Sequence, residues 1–291
     1  MIDYKLKGML NAHTVVSGDY TNSSNKDNTH IFGQVISGTE SSEMMNYLLN
    51  MNKQRISDFK SMMIYNESNR AAIINQARVM EEVIDERTII LPNPVKKLKV
   101  NFSEILQNRR SIRSFTKLIM DKGDLSSILH YAFGFQKRKT NFDGIVNRGR
   151  FYSSGGGLYP IDVYIYCNYV DTIYPGFYKY QPYSNSLYPL DINRVEKTNF
   201  FIDNMIDIEN MNLALFFEYT IDKTYLKYGE LSLLNVLVET GIMSHNFDLV
   251  CTAMGYRSCP IAGYDKNYLE QILNLDSVNE HIIFSNICGR E

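Results

Sequence analysis

Hydrophobic residues change their spacing several times along the 291-residue chain, and each change predicts an element. Apolar residues that recur every three to four positions predict helices at 41–49, 56–83, 103–108, 125–133, 230–254 and 266–273. Alternating or continuous apolar runs predict strands at 161–169, 176–180, 186–190, 211–219 and 281–287. Helices and strands do not alternate regularly, so the pattern predicts an α+β fold rather than a doubly wound sheet.

The strand at 161–169 follows a glycine-rich stretch around which the rest of the chain is organised. Alternate residues beginning with Ile161 are apolar, and those beginning with Asp162 are polar or aromatic, which predicts a half-buried strand. Ahead of the strand, Ser153 and Ser154 precede three glycines, Gly155–Gly157. Glycine has no Cβ, so these backbone amides can approach a flat or anionic ligand closely. Taken alone, the stretch fits a ligand cradle and a flexible loop equally well.

Prolines and a long apolar segment divide the chain further. The sequence Leu-Pro-Asn-Pro at 91–94 would break any helix. We therefore expect a mainly helical N-terminal region at 1–95 and the main domain at 96–291. The helix at 230–254 is apolar over most of its circumference, so we expect it to be buried on several sides.

The segment before the glycine stretch contains a helix and a loop. Asp121 can cap the helix at 125–133, which stops at Gly134. Residues 137–150 are basic and polar, which predicts an exposed loop.

Composition and charge exclude several classes of function. Thirty basic residues against thirty-two acidic ones give a formal charge of −2, which does not favour nucleic acid or an anionic membrane as a partner. The four cysteines form no CxxC pair and have no metal-ligand spacing with histidine, so we expect buried, reduced thiols. The N-terminus lacks the apolar stretch of a secretory signal, and no segment approaches membrane-spanning length. These features predict a soluble cytoplasmic protein.

Three arginines and a serine form a candidate phosphate site. Arg109, Arg110, Ser111 and Arg113 lie within five residues after a short predicted helix. Each guanidinium is a planar fork that suits phosphate oxygens, although an isolated cluster of this kind is more often a solvated basic turn. Arg290 follows Gly289 directly after the last predicted strand.

The motifs RRSxR, SSGGGLYP and a terminal Gly-Arg, in this order, resemble the FMN-dependent nitroreductase superfamily. Within it, SSGGGLYP is similar to the signature of the SagB-type dehydrogenases, which oxidise azoline rings during the biosynthesis of thiazole- and oxazole-containing peptides. The resemblance covers residues 96–291. It implies a mainly antiparallel sheet flanked by helices, and a homodimer with FMN at the subunit interface.

The resemblance also implies roles for particular residues. The FMN phosphate would be held by Arg109, Ser111, Arg113 and Arg290, with Arg110 beside them. The flavin would lie against Ser153, Ser154, Gly155, Gly156 and Gly157. Gln136 is the candidate for a polar residue near the flavin ring, and His245 and Asn246 lie halfway along the long helix where the family has a similar pair.

Lys227 and Tyr228 are the candidate catalytic residues, because the family's azoline oxidases use a Lys-Tyr pair. Oxidation of an azoline removes a hydride and a proton, and the proton needs a base. A lysine with an ordinary pKa of about 10.4 would need burial or a neighbouring cation to act as that base at neutral pH. The alternative is a pair that caps the start of a helix. The family commonly has an arginine shortly after Lys-Tyr-Gly, where this chain has Glu230-Leu231-Ser232.

We therefore expect an FMN-dependent dehydrogenase that converts thiazolines or oxazolines of a ribosomally made precursor peptide into azoles, with molecular oxygen as the final acceptor. The resemblance implies a cyclodehydratase complex and the precursor peptide as partners, as in the maturation of bacteriocins or cytolysins. The alternatives are a general NAD(P)H-dependent nitro- or quinone reductase and a flavin-less scaffold of the biosynthetic complex. Residues 1–95 could recognise peptide, dock a partner enzyme or form a helical cap.

Overall fold

The computed structural model describes residues 82–93, 95–137, 148–192 and 194–291, together with Tyr47 and Lys60. The chain divides into two compact units, Met1–Arg55 and Ile56–Glu291, and every described residue except Tyr47 belongs to the second. The helices predicted at 41–49 and 56–83 fall almost entirely outside the described residues. The predicted boundary near residue 95 stays a prediction.

The helices of the described residues are short except for one. They are α1 (Phe102–Asn108), α2 (Lys122–Phe133), α3 (Asp222–Tyr228), α4 (Leu231–Ala253) and α5 (Lys266–Ile272). Single turns of 3₁₀ helix occur at Gly155–Gly157 and Lys197–Asn199. Asp121 caps α2 as expected, because its side chain accepts hydrogen bonds from the N–H groups of Gly123 and Asp124.

The strands of the described residues are β1 (Ile89–Ile90), β2 (Phe135–Lys137), β3 (Arg148–Arg150), β4 (Ile161–Cys167), β5 (Gly176–Gln181), β6 (Ser186–Pro189), β7 (Leu213–Thr220), β8 (Arg257–Ile261) and β9 (Glu280–Gly289). Seven of them form one antiparallel sheet in the order β1-β6-β5-β4-β7-β9-β8, and β2 pairs with β3. The predicted α+β class with a mainly antiparallel sheet is confirmed.

Both faces of the sheet are buried, which corrects one expectation. The apolar face of β4, which includes Ile165, packs in a core with α2 and α4. The other face, which includes Tyr164 and Tyr166, packs in a second core with Phe200 and α5. The sequence predicted a half-buried strand, but aromatic side chains fill the second face because another layer covers it.

The structure contains elements that the sequence did not predict. Residues 137–150 were expected to be an exposed loop, but the ends of this segment form the β2–β3 hairpin, while 138–147 lie outside the described residues. Strand β8 was missed because Pro260 reads as a break. Pro260 is tolerated in β8 because β8 is an edge strand of the sheet. A proline has no N–H to donate, and at the open side of an edge strand no neighbouring strand needs that donor.

The long helix α4 differs from the expectation in its burial. Its outward side carries apolar residues that are exposed in the single chain: Leu233 (39%), Leu237 (44%), Val238 (55%) and Ile242 (39%). Its inward side includes polar residues such as Glu239, Ser244 and Asp248, all 3% exposed. The sequence predicted a helix that is apolar over most of its circumference, whereas the buried side also carries several polar residues.

Candidate active site

The three glycines form a tight turn, Gly155–Gly157, which we call the glycine turn. The N–H of Gly157 donates to the carbonyl of Ser154 at 3.1 Å. Gly156 and Gly157 have φ of 65° and 69°, a region that disfavours any residue with a Cβ. Gly156 and Gly157 are exposed, so the turn presents bare backbone to its surroundings.

Lys227 and Tyr228 approach the glycine turn directly. A Cβ built on Gly156 would clash with the phenol oxygen of Tyr228 and would lie 2.8 Å from Lys227 Nζ. The pair occupies the last turn of α3, and Gly229, with φ of 54°, lets the chain turn there into α4. Burial raises the pKa of the Tyr228 phenol. The structure thus brings two separately predicted motifs together.

Helix α4 packs against the glycine turn. Gly155 lies against the side chain of Asn235, with the nearest atom 3.5 Å from the position of a Cβ. One turn further on, the Glu239 carboxyl is 3% exposed, and the Ser154 hydroxyl and the Gly155 N–H both influence its pKa. Both influences lower the pKa of Glu239, but burial is the larger effect and raises it to about 7. A carboxyl group buried within an apolar helix needs a partner, and nothing in the sequence indicated that Ser154 and Gly155 lie near this one.

An open groove of about 530 Å³ lies along α4 and reaches Ser153, two residues before the glycine turn. Ser153, His245 and Asn246 line it, together with apolar residues of α4 and the ring of Phe151. The side chain of Asn246 donates to two carbonyls at the end of α2, those of Tyr131 at 3.0 Å and Ala132 at 2.8 Å. Asn246 therefore joins α4 to α2, while His245 is exposed.

Gln136 lies in the β2–β3 hairpin just beyond the end of α2. It pairs with Gly149 across the hairpin and is partly exposed. The hairpin begins two residues after the end of α2, just beyond the carbonyls to which Asn246 donates. The position of Gln136 beside a flavin ring stays a prediction.

The arginine motif lies at the edge of the sheet beside β8. Ser111 forms an isolated bridge with Ser258, and Arg109 Nη1 donates to the Ser111 hydroxyl at 3.3 Å. Burial raises the pKa of the nearby Cys259 thiol, and the charge of Arg113 is the largest influence opposing that rise. Arg109, Ser111 and Arg113 therefore form one cluster around the buried end of β8.

Two arginines of the predicted set make contacts of their own. The Arg110 guanidinium donates to the carbonyls of Gln107 and Arg109 at the end of α1, at 3.0 and 3.1 Å. Arg290 stacks on the Tyr256 ring at 4.0 Å and donates to the Gly255 carbonyl at 3.0 Å. The phosphate-binding roles of both residues stay predictions.

Asp248 is a buried carboxyl group beneath the arginine cluster that the sequence did not single out. Its Oδ1 accepts from the Ser258 hydroxyl at 2.5 Å and from the Asn286 amide at 3.3 Å. Burial raises its pKa, while Ser258, Arg109 and His245 lower it. Asp248 thus links β8, beside the arginine motif, to the C-terminal part of α4.

Helix α4 orders the candidate site from one end to the other. Its residues meet the glycine turn at Asn235 and Glu239, the groove at His245, and the arginine cluster at Asp248. At a rise of 1.5 Å per residue, the helix covers roughly 20 Å from Asn235 to Asp248.

The model of the nitroreductase family matches residues 106–290. The chain belongs to the nitroreductase family, which indicates an oxidoreductase. Within the described part of the chain, no helix is both long and apolar enough to span a membrane.

Two proteins similar in sequence give more detail. MJ1384 of Methanocaldococcus jannaschii, which carries the nitroreductase name, is 24% identical over 61% of this chain and 86% of its own length. The microcin B17-processing protein McbC of Escherichia coli is 28% identical over 61% of this chain. The aligned part spans only 60% of McbC.

Solved structures agree on the fold. A nitroreductase-type protein of Ralstonia eutropha has a TM-score of 0.56 and 24% identity, covering 70% of this chain and 90% of its own. A chain of the E. coli microcin synthetase McbBCD complex, solved with truncated pro-MccB17 bound, has a TM-score of 0.52 and 18% identity. That match covers 87% of this chain and 99% of the other. At these identities the likeness concerns the fold alone.

Proposed function

We propose that this protein is an FMN-dependent dehydrogenase that oxidises thiazoline or oxazoline rings of a precursor peptide to thiazoles or oxazoles. The observation that carries the proposal is the approach of Lys227 and Tyr228 to Gly156. A turn without side chains lies next to an amine and a phenol, so a flat ligand on the turn would have both groups beside it.

The described residues fit FMN. Arg109, Ser111 and Arg113 form a cluster with an exposed hydroxyl and cationic groups suited to a phosphate. The glycine turn and the groove would hold the ring system, with Ser153 and His245 at the groove wall. When bound, FMN supplies a hydride acceptor, which amino-acid side chains cannot provide.

The chain itself must supply the proton chemistry. Burial raises the pKa of the Tyr228 phenol, so at neutral pH the phenol keeps its proton and can donate a hydrogen bond to the azoline nitrogen. We assign acceptance of the substrate proton to Lys227 Nζ, which lies beside the same glycine. A positioned base of this kind contributes roughly 10²–10⁴-fold to a rate.

The relative McbC supports the substrate class. Its name identifies it as a processing protein of microcin B17, and it shares 28% identity with this chain. We infer that this protein also acts on a ribosomally made precursor peptide, after a cyclodehydratase complex has formed the azoline rings. That complex and the precursor would then be its partners.

The apolar outer side of α4 supports a homodimer. Leu233, Leu237, Val238 and Ile242 recur along one side of the helix next to the groove, and all are exposed in the single chain. Such a contiguous apolar surface is typical of an interaction site, and two-fold homodimers bury the same surface on both subunits. A second subunit here would close the open side of the groove.

The direct test uses the purified protein loaded with FMN and a peptide that already carries azoline rings. We expect mass spectrometry to show the loss of two hydrogens for each ring oxidised, and the same loss at a rate roughly 10²–10⁴-fold lower with the Lys227→Ala variant. If the wild-type protein with bound FMN never produces that loss, while a known azoline oxidase does so on the same peptide, the proposed substrate is wrong.

A second candidate is a general NAD(P)H-dependent nitro- or quinone reductase, which is favoured by the family match and by the similarity to MJ1384. Both candidates place FMN in the same site, so binding of the cofactor does not separate them. Rapid bleaching of the flavin by NAD(P)H, with no bleaching by azoline peptide, would select the reductase.

A further inference from the structure

Asp248 is a buried carboxyl group on α4, and two polar side chains of the sheet converge on it. Its Oδ1 atom accepts from the hydroxyl of Ser258 in β8 at 2.5 Å and from the amide of Asn286 in β9 at 3.3 Å. Ser258 and Asn286 are buried as well. A buried polar group is destabilising unless it is hydrogen-bonded, so these three side chains stabilise one another. Asp248 thereby joins α4 to the edge of the sheet.

The arginine motif is attached to the same edge. Strand β8 is the last strand of the sheet on this side, and Ser111 forms a parallel bridge with Ser258. The N–H of Ile112 donates to the carbonyl of Ser258 at 3.2 Å. Ser258 therefore contacts Asp248 with its hydroxyl and the arginine motif with its backbone, so a single residue connects the two.

The side chains of the motif depend on this attachment for their position. Arg109 is partly exposed, and Ser111 and Arg113 are exposed, so little packing holds their side chains. Where their polar groups lie is therefore decided by how the backbone between them is held. A binding site of this kind needs a second layer of hydrogen bonds to keep it in the productive geometry.

We propose that Asp248 is a positioning residue for the phosphate group of FMN. By holding Ser258, it fixes the backbone at Ser111 and Ile112 and so presents the polar groups of the motif together to the phosphate. Asp248 acts through its hydrogen bonds and does not touch the ligand. The inference rests on the FMN site of the proposed function, but it is independent of whether the substrate is an azoline or a nitro compound.

Riboflavin separates the contribution of the phosphate from the rest of flavin binding, because it has the ring and the ribityl chain of FMN but no phosphate. The measured quantity is the Kd for riboflavin divided by the Kd for FMN, from fluorescence titrations of the full-length protein. Partial unfolding weakens the binding of both ligands and leaves this ratio unchanged. A misplaced phosphate site weakens the binding of FMN alone and lowers the ratio.

Asp248→Ala removes the acceptor, and we expect it to lower the ratio by roughly tenfold or more, the value of one charge-assisted hydrogen bond. Ser258→Ala removes the other end of the same bond and should lower the ratio as well. The double variant should lose little more than either single variant, because both changes break one connection. Asp248→Asn keeps an acceptor oxygen on a side chain of the same shape, so it should retain most of the ratio.

Ser285→Ala is the matched control. Ser285 lies in β9, is fully buried, and donates its hydroxyl to the carbonyl of Ile261 at the far end of β8, at 2.6 Å. The variant therefore also removes a buried hydroxyl that is hydrogen-bonded at β8, but away from the bridge between Ser111 and Ser258. Its ratio should equal that of the wild type.

Three results would overturn the proposal: a ratio that is unchanged in Asp248→Ala and Ser258→Ala, one that falls equally in Ser285→Ala, or one that falls as far in Asp248→Asn as in Asp248→Ala. If Asp248→Ala does not fold, Ser258→Ala decides the first of these. A wild-type protein that binds FMN no better than riboflavin would remove the phosphate site and the proposal with it. A normal pattern of ratios without azoline oxidation would support the proposal and contradict only the proposed substrate.

Discussion

Replacement of Gly156 by alanine tests the convergence of the glycine turn with the catalytic pair. The new Cβ would lie 2.8 Å from Lys227 Nζ. An ordinary contact between such atoms is about 3.5–4.0 Å, so the amine must move by roughly 1 Å. A misplacement of that size in an active site costs about 10²-fold in rate. We therefore expect Gly156→Ala to lower kcat for azoline oxidation about 100-fold.

Gly157→Ala is the matched control for this change. Gly157 has φ of 69° against 65° for Gly156, so both variants carry the same backbone cost of about 1–2 kcal/mol. A Cβ at Gly157 meets nothing within 4 Å. Thermal unfolding should therefore show similar losses of stability in both variants, while kcat per bound flavin falls only in Gly156→Ala. Equal activity in the two variants would refute the reasoning.

The remaining predictions concern the base, the phosphate site, the buried acid and the subunit interface. Lys227→Ala should lower kcat by roughly 10²–10⁴-fold with little change in the Kd for FMN, and an unchanged kcat would remove Lys227 as the base. Arg109→Ala should weaken FMN binding by about 1.5–3 kcal/mol in a fluorescence titration, whereas Arg110→Ala, whose guanidinium binds α1 carbonyls, should change it less. Because the pKa of Glu239 is raised from 4.5 to about 7 in the folded state, its protonation stabilises the fold fully below the unfolded-state pKa, and that contribution is lost as pH rises through 7. Glu239→Gln should therefore be more stable than wild type at pH 8 by up to about 3 kcal/mol, and of similar stability below pH 4.5, in denaturant unfolding; a pH-independent difference would contradict this. Leu237→Glu should shift the protein from dimer to monomer in light scattering, and a wild-type monomer would exclude the interface.

The sequence predicted most of the regular elements because their patterns are local. Asp121 caps α2, and the run after Pro160 forms β4, since capping and alternation depend on a few neighbouring residues. The second core was missed because burial of both faces of β4 depends on Phe200, which is distant in sequence. Helix α3 was missed because its sequence, Asp-Lys-Thr-Tyr-Leu-Lys-Tyr, has a single aliphatic residue and so shows no apolar period, unlike α1 and α5 of the same length.

The candidate site was predictable in its parts but not in its arrangement. The glycine motif and the Lys227-Tyr228 pair could be recognised individually by resemblance, and their approach at Gly156 comes from the fold. The roles of Glu239 and Asp248 could not be recognised, because a carboxyl group within an apolar helix gives no signal of what it faces. Ser154, which lowers the pKa of Glu239, and Ser258, which donates to Asp248, lie in other segments of the chain.

The most direct test of the central claim is an anaerobic single-turnover experiment with the FMN-loaded protein and an azoline peptide. The account predicts that the visible absorbance of the flavin bleaches as the peptide loses two hydrogens per ring, and that Lys227→Ala slows both changes by roughly 10²–10⁴-fold. A flavin that keeps its absorbance with azoline peptide, yet is bleached at once by NAD(P)H, would contradict the account.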